Sequence, residues 1–222
     1  MIGVVQAFAP HYARARVLFL EAAATAGLAS ESHVLPHTGL HGETLATDVA
    51  LDGATDASHL LLVTSGSRGV DGAMGSGVQV FALHDQEWRD KARSAGVAVL
   101  YVHALDPWAF SWQQPSPDAT WAATTMRTLL RPHAQHARHI SWVDLRTGTG
   151  EPGWATRTPL GPQNDTLALV RAECPHATVV TGQLLEIGAH SQPALNDTDA
   201  WKGQTISQAR QTLFQAVDRL AG

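Results

Sequence analysis

Apolar residues along this chain fall into runs of two periods. His59-Leu60-Leu61-Leu62-Val63-Thr64 and Val97-Ala98-Val99-Leu100-Tyr101-Val102 are continuous and of strand length, which predicts central strands covered on both faces. Glu31 to Leu35, Leu45 to Leu51, His139 to Leu145 and Thr178 to Ile187 are further strand candidates. Pro36-His37-Thr38-Gly39 and Asp52-Gly53 are turn signals. Helical spacing appears from Ala9 to Gly27, with Pro10 in the first turn and Gly27 at the stop. It recurs from Ser76 to Leu83, from Gln86 to Ser94 before Gly96, and from Ala119 to about Leu130 after the turn Pro115-Ser116-Pro117-Asp118. Two more helices are expected, one from a capping Asp165 to Glu173 and one from Gln204 to Leu220. His103 to Trp112 and Gly148 to Gly161 read as loops. Strands alternating with helices predict an α/β fold, with a central, mostly parallel or mixed sheet flanked by helices. No repeat or linker divides the chain, so one domain over 1–222 is expected.

Composition narrows the function classes. The 222 residues are 44% hydrophobic and 16% charged, an ordinary globular balance with enough chain for a real core. A formal net charge of −5 and the lack of any basic run argue against a nucleic-acid surface. No apolar stretch approaches the ~20 residues of a membrane span. The start, Met1-Ile2-Gly3-Val4, lacks the pattern of a signal peptide, and the one cysteine, Cys174, cannot form an intrachain disulfide. A cytoplasmic protein is expected, with no nucleic-acid or membrane partner, and with homo-oligomer formation open. Histidine is abundant, at twelve residues, and His133, His136 and His139 are spaced so that a helix would place them on one face. No acid or thiolate adjoins them to complete a metal site, so a solvated helix end is the simpler reading. Cys174 beside Pro175-His176 reads as a helix-end thiol rather than a nucleophile.

In a sheet of this kind, ligands bind beyond the carboxyl ends of the parallel strands. The loops after Thr64, Val102, Leu145 and Leu185 should gather on one edge, bringing Arg68, Asp71, Arg146 and Glu186 toward one cleft. The first loop, Ser65 to Gly72, is spaced by Gly66, Gly69, Gly72 and Gly75 and leads into the helix at Ser76. Ser76 is expected to cap that helix, and its backbone N–H groups suit an anion. Neither Ser67, Ser76 nor Thr147 stands in a G-x-S-x-G elbow. Trp108, Trp112, Trp142 and Trp154 are expected near the cleft edge, walling an apolar pocket or sealing an interface.

The motifs resemble a little-characterised bacterial branch of the zinc carboxypeptidase superfamily. That branch shows H-G-V-E-G, then V-H-A-x-N-P-Y-G-F, then D-L-H-T-G-L-G, then E-F-G-T. The matching stretches are Arg68-Gly69-Val70-Asp71-Gly72, Val102-His103-Ala104-Leu105-Asp106-Pro107-Trp108-Ala109-Phe110, Asp144-Leu145-Arg146-Thr147-Gly148-Thr149-Gly150 and Glu186-Ile187-Gly188-Ala189. Tyr12 to Glu21, Gly42 to Leu45, Asp48 to Ala50 and Gly75 to Gln79 extend the likeness over most of the chain. The resemblance implies a shortened zinc-carboxypeptidase-like domain in which His103 is structural. Its departures fall on the zinc ligands: where the family has His, Glu and His, this chain has Arg68, Asp71 and Arg146. A guanidinium has no lone pair for a metal, and one carboxylate is too few for catalytic zinc. The segment that binds substrate carboxylate in the family has no match.

The resemblance therefore implies a degenerate metal site, a pseudoenzyme with no metal and no cofactor. Glu186 matches the family's general base, but without zinc it would face water of pKa ~15.7. Three readings of the altered site stay open. Arg68 and Arg146 pair with Asp71 and Glu186 as an inert remnant. Alternatively they form, with Asp71, Ser76 and Thr147, a cradle for a carboxylate or phosphate on a small molecule, or for a protein partner. As a third reading, they stabilise an oxyanion while Glu186 acts as base in hydrolysis or proton transfer on a small-molecule intermediate.

Overall fold

The computed structural model describes residues 3–67, 72–148, 150–161, 164–188 and 200–222, so Arg68 and Asp71 lie outside the described residues. In chain order the strands are β1 (Ser30–Thr38), β2 (Thr44–Asp52), β3 (His59–Ser65), β4 (Val97–His103), β5 (His139–Gly148), β6 (Ala155–Pro159) and β7 (Thr178–Gly188). The helices are α1 (Tyr12–Thr25), α2 (Ala73–His84), α3 (Gln86–Ser94), α4 (Pro107–Trp112), α5 (Trp121–His133), α6 (Asp165–Glu173) and α7 (Ala200–Ala221), preceded by a 3-10 turn at Val4–Ala7. Among the described residues the strands form one seven-stranded sheet in the order β1-β2-β4-β3-β5-β7-β6. β4, β3, β5 and β7 run parallel, while β2 and β6 are antiparallel to their inner neighbours. This is the α/β architecture with a mixed sheet that the sequence pattern predicts. No helix among the described residues is long and apolar enough to cross a membrane.

The continuous apolar runs fall where both faces are covered. β3 holds the middle of the sheet, and Leu60 to Val63 are at most 1% exposed. Leu61 and Val63 point into one core with residues of α1, α2, α3 and α7, whereas Leu60 and Leu62 point into the second with α5 and α6. The same period-two alternation splits β5: Val143 and Leu145 join the first core, Ile140 and Trp142 the second. The row Ile140, Trp142, Asp144, Arg146 therefore lies on the α5/α6 face, and its last two members stand beyond the apolar packing.

Several local expectations are corrected. Pro36 lies within β1 rather than ending it, because β1 is an edge strand with a register irregularity between Val34 and Thr38, where a missing N–H is tolerated. The segment read as loop after His103 contains α4, with Asp106 at its N-cap accepting from the Ala109 N–H at 2.9 Å. The segment after Gly148 contains β6, whose largely exposed residues carry no apolar alternation. Pro10 precedes α1, which starts at Tyr12 with His11 at the N-cap. Asn164, not Asp165, caps α6, accepting from the Thr166 and Leu167 N–H groups.

The approach of α2 to the sheet depends on Gly75. A Cβ there would stand 2.6 Å from the Leu145 carbonyl oxygen and 3.0 Å from the Ser65 Cβ. Gly203 in α7 has nothing within 4 Å of the same position. The two sites predict opposite signs for one substitution. Gly203→Ala gains helix propensity and should stabilise by about 0.5–1 kcal/mol. Gly75→Ala gains the same but drives a methyl group into backbone, an overpacking cost of roughly 1–3 kcal/mol that should dominate. Thermal unfolding of the two variants should shift Tm in opposite directions, downward by a few degrees for Gly75→Ala.

Candidate functional site

The carboxyl ends of β4, β3, β5 and β7 share one edge, and the chain leaves β3 toward β4 on one side and β5 toward β7 on the other. That reversal of direction opens a crevice in doubly wound sheets. A cleft of about 330 Å³ lies there. Ser67 and Arg146 line its sheet side, Asp106 its end beyond β4, and Asp165 and Thr166 the first turn of α6. Leu105, Met126 and Leu169 give it an apolar wall, and Ala119, Ala122 and Ala123 leave it room.

Arg146 is held in place by a residue that the sequence reading did not assign. Residues two apart on a strand share a face, so Asp144 stands directly behind Arg146. Asp144 is 1% exposed. Its Oδ2 accepts from Arg146 Nε at 2.7 Å and from the Ser67 hydroxyl at 2.9 Å, and lies 2.6 Å from Arg146 Nη2 in an ion pair. Its Oδ1 accepts from the Thr64 hydroxyl at 2.7 Å, and Thr64 in turn accepts from the Trp142 indole N–H at 2.9 Å. Arg146 Nε also reaches the Ser67 oxygen at 3.1 Å. A carboxylate in the sheet is thus compensated by a cation and two hydroxyls, as a buried charge requires. Of the five guanidinium N–H groups, those on Nη1 and one on Nη2 have no protein acceptor among the described residues.

The expected pairing of Arg146 with Glu186 is corrected by this geometry. Glu186 is Arg146's register neighbour on β7, with Thr156 opposite it on β6, yet it is exposed and makes no ion pair among the described residues. Ser76 is corrected too. Gly72 occupies the N-cap of α2, and Ser76 is buried, its hydroxyl 2.9 Å from His103 Nε2. Thr147 turns to the face opposite Arg146, with its hydroxyl buried and unpartnered. Arg68 and Asp71 lie outside the described residues, so Arg146 is the described residue of the expected set that lines the cleft.

The tryptophans do not wall this cleft. Trp142 is inside the second core, Trp108 and Trp112 stack on each other at 5.0 Å on α4, and Trp154 is 62% exposed. The three spaced histidines reach different surroundings: His133 ends α5 and bonds Glu31, His136 is in a turn, and His139 stacks on His59. Cys174 is buried and its thiol is pushed up by that burial, which favours the unreactive protonated form. Among the described residues no group of three or more His, Cys, Asp or Glu is arranged to hold a metal ion.

His103 ends β4, fully buried, stacked on Phe19 at 4.7 Å. Burial pushes its imidazole down to about 4, against the smaller opposing pull of the Asp48 carboxylate. From an unfolded value near 6.5, the unfolded chain then binds more protons between these limits. Stability is full above pH 6.5 and falls as the pH drops toward 4, by on the order of 3 kcal/mol. Denaturant unfolding at several pH values should show this slope, and His103→Gln should flatten it relative to the parent chain.

Comparison with known proteins agrees with this geometry. A family described as "Protein of unknown function (DUF2817)" matches residues 8–119. No curated protein matches the chain. Among solved structures, a protein of Shewanella denitrificans OS217 provisionally assigned as a metallopeptidase is similar at 13% identity and TM-score 0.55, over 92% of this chain and 89% of that one. A metallo-carboxypeptidase from Pseudomonas aeruginosa is similar at 12% identity and TM-score 0.55, over 94% of this chain and 69% of that one. A glutaminyl cyclase from Tannerella forsythia is similar at 13% identity and TM-score 0.50, covering 91% and 89%. At these identities the likeness shows the fold, a metallopeptidase-like α/β domain that carries more than one activity among its neighbours.

Proposed function

The chain belongs to the DUF2817 family of proteins of unknown function, and we propose that it is a non-peptidase member of the metallopeptidase-like fold whose cleft binds a small molecule by an anionic group at Arg146. One observation carries this reading. Arg146 lines a cleft of about 330 Å³ with N–H donors to spare among the described residues, already oriented by Asp144 and Ser67. That volume sits at the small end of ligand sites. A fixed guanidinium presents two parallel donors to a carboxylate or phosphate, and fixing it beforehand lowers the entropy lost on binding.

The described donors at this edge argue against a catalytic zinc. Arg146 has no lone pair, both Asp144 oxygens are engaged, and His103 is committed to Ser76 in the core. Arg68 stands at another position where the motif it resembles has a ligand histidine. A second reading rests on Glu186. It is exposed, unpaired among the described residues and on the same sheet face as Arg146, an arrangement open to proton transfer on a bound anion. In that case Glu186→Gln abolishes turnover and leaves binding intact.

The proposal is tested by thermal unfolding with hexanoate and with inorganic phosphate, together with elemental analysis of untagged protein. Whichever of the two binds should, at about ten times its dissociation constant, stabilise the chain by roughly 1.4 kcal/mol. Arg146→Ala should abolish that shift and, by leaving Asp144 uncompensated, cost about 1–3 kcal/mol. Arg146→Lys keeps the charge and should fold, yet bind severalfold more weakly for want of the fork. One tightly held zinc per chain, or a ligand shift that survives in Arg146→Ala, overturns the reading.

A further inference from the structure

The lining of the cleft is of mixed sign, and that carries the reading of the same site further. Besides Arg146, the described lining holds two carboxylates, Asp106 and Asp165. Neither meets a cationic side chain among the described residues. Asp106 is half-buried, spends one oxygen on the α4 N-cap, and has its carboxyl pushed up by burial. Asp165 is exposed in the first turn of α6, where its charge suits the helix dipole but leaves its oxygens open. Asp144 already balances most of the charge on Arg146. The described lining therefore disfavours a multiply charged anion, since a dianionic phosphate would face two carboxylates there.

We propose that the ligand is a small amino acid in the broad chemical sense, a zwitterion whose carboxylate docks on Arg146 and Ser67 and whose ammonium docks between Asp106 and Asp165. The apolar wall of Leu105, Met126 and Leu169 takes the hydrocarbon that joins the two charges. The small side chains of Ala119, Ala122 and Ala123 leave room for it along the lining. Each end of the ligand finds its opposite charge, so the selectivity is electrostatic: a plain acid leaves the two carboxylates unmatched, and a plain amine leaves Arg146 unmatched. This inference rests on the binding role of Arg146 proposed above and adds the second charge.

Calorimetric titration distinguishes the two ideas. The probes are the ω-amino acids of four to eight carbons, each beside its parent acid and parent amine. At the length that spans the cleft, the amino acid should bind on the order of tenfold more tightly than its parent acid. In the double variant Asp106→Asn, Asp165→Asn that advantage should fall below about twofold, while the parent acid binds as well as before or better. Asn at position 106 keeps an acceptor for the α4 cap and Asn at 165 replaces an exposed group, so the fold should persist, which circular dichroism confirms. Parent acids that bind through Arg146 with no amino-acid advantage at any length overturn the zwitterion and leave the anion site standing. Amino-acid binding unaffected by Arg146→Ala overturns both. An advantage that survives the double variant places the ammonium elsewhere and overturns the assignment.

Discussion

A carboxylate inside a sheet has to be answered by donors, and Asp144 sets that requirement for the whole carboxyl edge of this domain. It is 1% exposed, and its two oxygens gather Thr64 from β3, Ser67 from the turn after β3, and Arg146 from its own strand. Three segments are thereby tied at the point where the chain reverses direction across the sheet. The Trp142 indole continues the network into the core by donating to Thr64. Such a network is costly when half satisfied and rigid when complete. Here it fixes a guanidinium on the sheet side of the cleft.

The scaffold around that network was largely legible in the sequence because its signal is redundant. β3 and β4 announce themselves as unbroken apolar runs, and α3 spans Gln86 to Ser94 as the sequence predicts. What failed was the pieces whose stability comes from neighbours. β6 is a run of largely exposed residues, Ala155-Thr156-Arg157-Thr158-Pro159, which becomes a strand only because β7 presents an edge to it. α4 is six residues long, below the length at which periodicity can speak, and exists because Asp106 caps it and Phe110 is buried at its far end. Pro36 looked like a strand terminator, yet it sits on the outermost strand where its missing donor faces no partner.

The candidate site was legible in its place and not in its wiring. Parallel strand ends locate the edge, and the glycine spacing marks the turn after β3. The partner of Arg146 was sought in Glu186, across a strand boundary, when the alternation of Asp144-Leu145-Arg146 already puts an acid on the same face two residues away. The signal was in the sequence, since a D-x-R step on a strand is a local ion pair by geometry. Ser76 misled for the opposite reason. It follows a glycine-rich loop as a cap would, but the helix starts three residues earlier and turns it inward to His103. Asp106 and Asp165 come from distant segments that only the tertiary fold brings to one cavity.

A side-chain cation and a bound metal equip the edge of a sheet for different chemistry. A bound zinc polarises water and carbonyls because it offers empty coordination to oxygen lone pairs. A guanidinium has none to offer. It gives N–H groups at fixed angles, which recognise a charge that already exists rather than creating one. The compensating Asp144 matters here, because it removes most of the net charge while leaving the donors on Nη1 in place. A site built this way gains little from long-range attraction and depends on short-range fit. Selectivity then passes to the groups around it, and on the proposed reading that is what Asp106, Asp165 and the apolar wall supply.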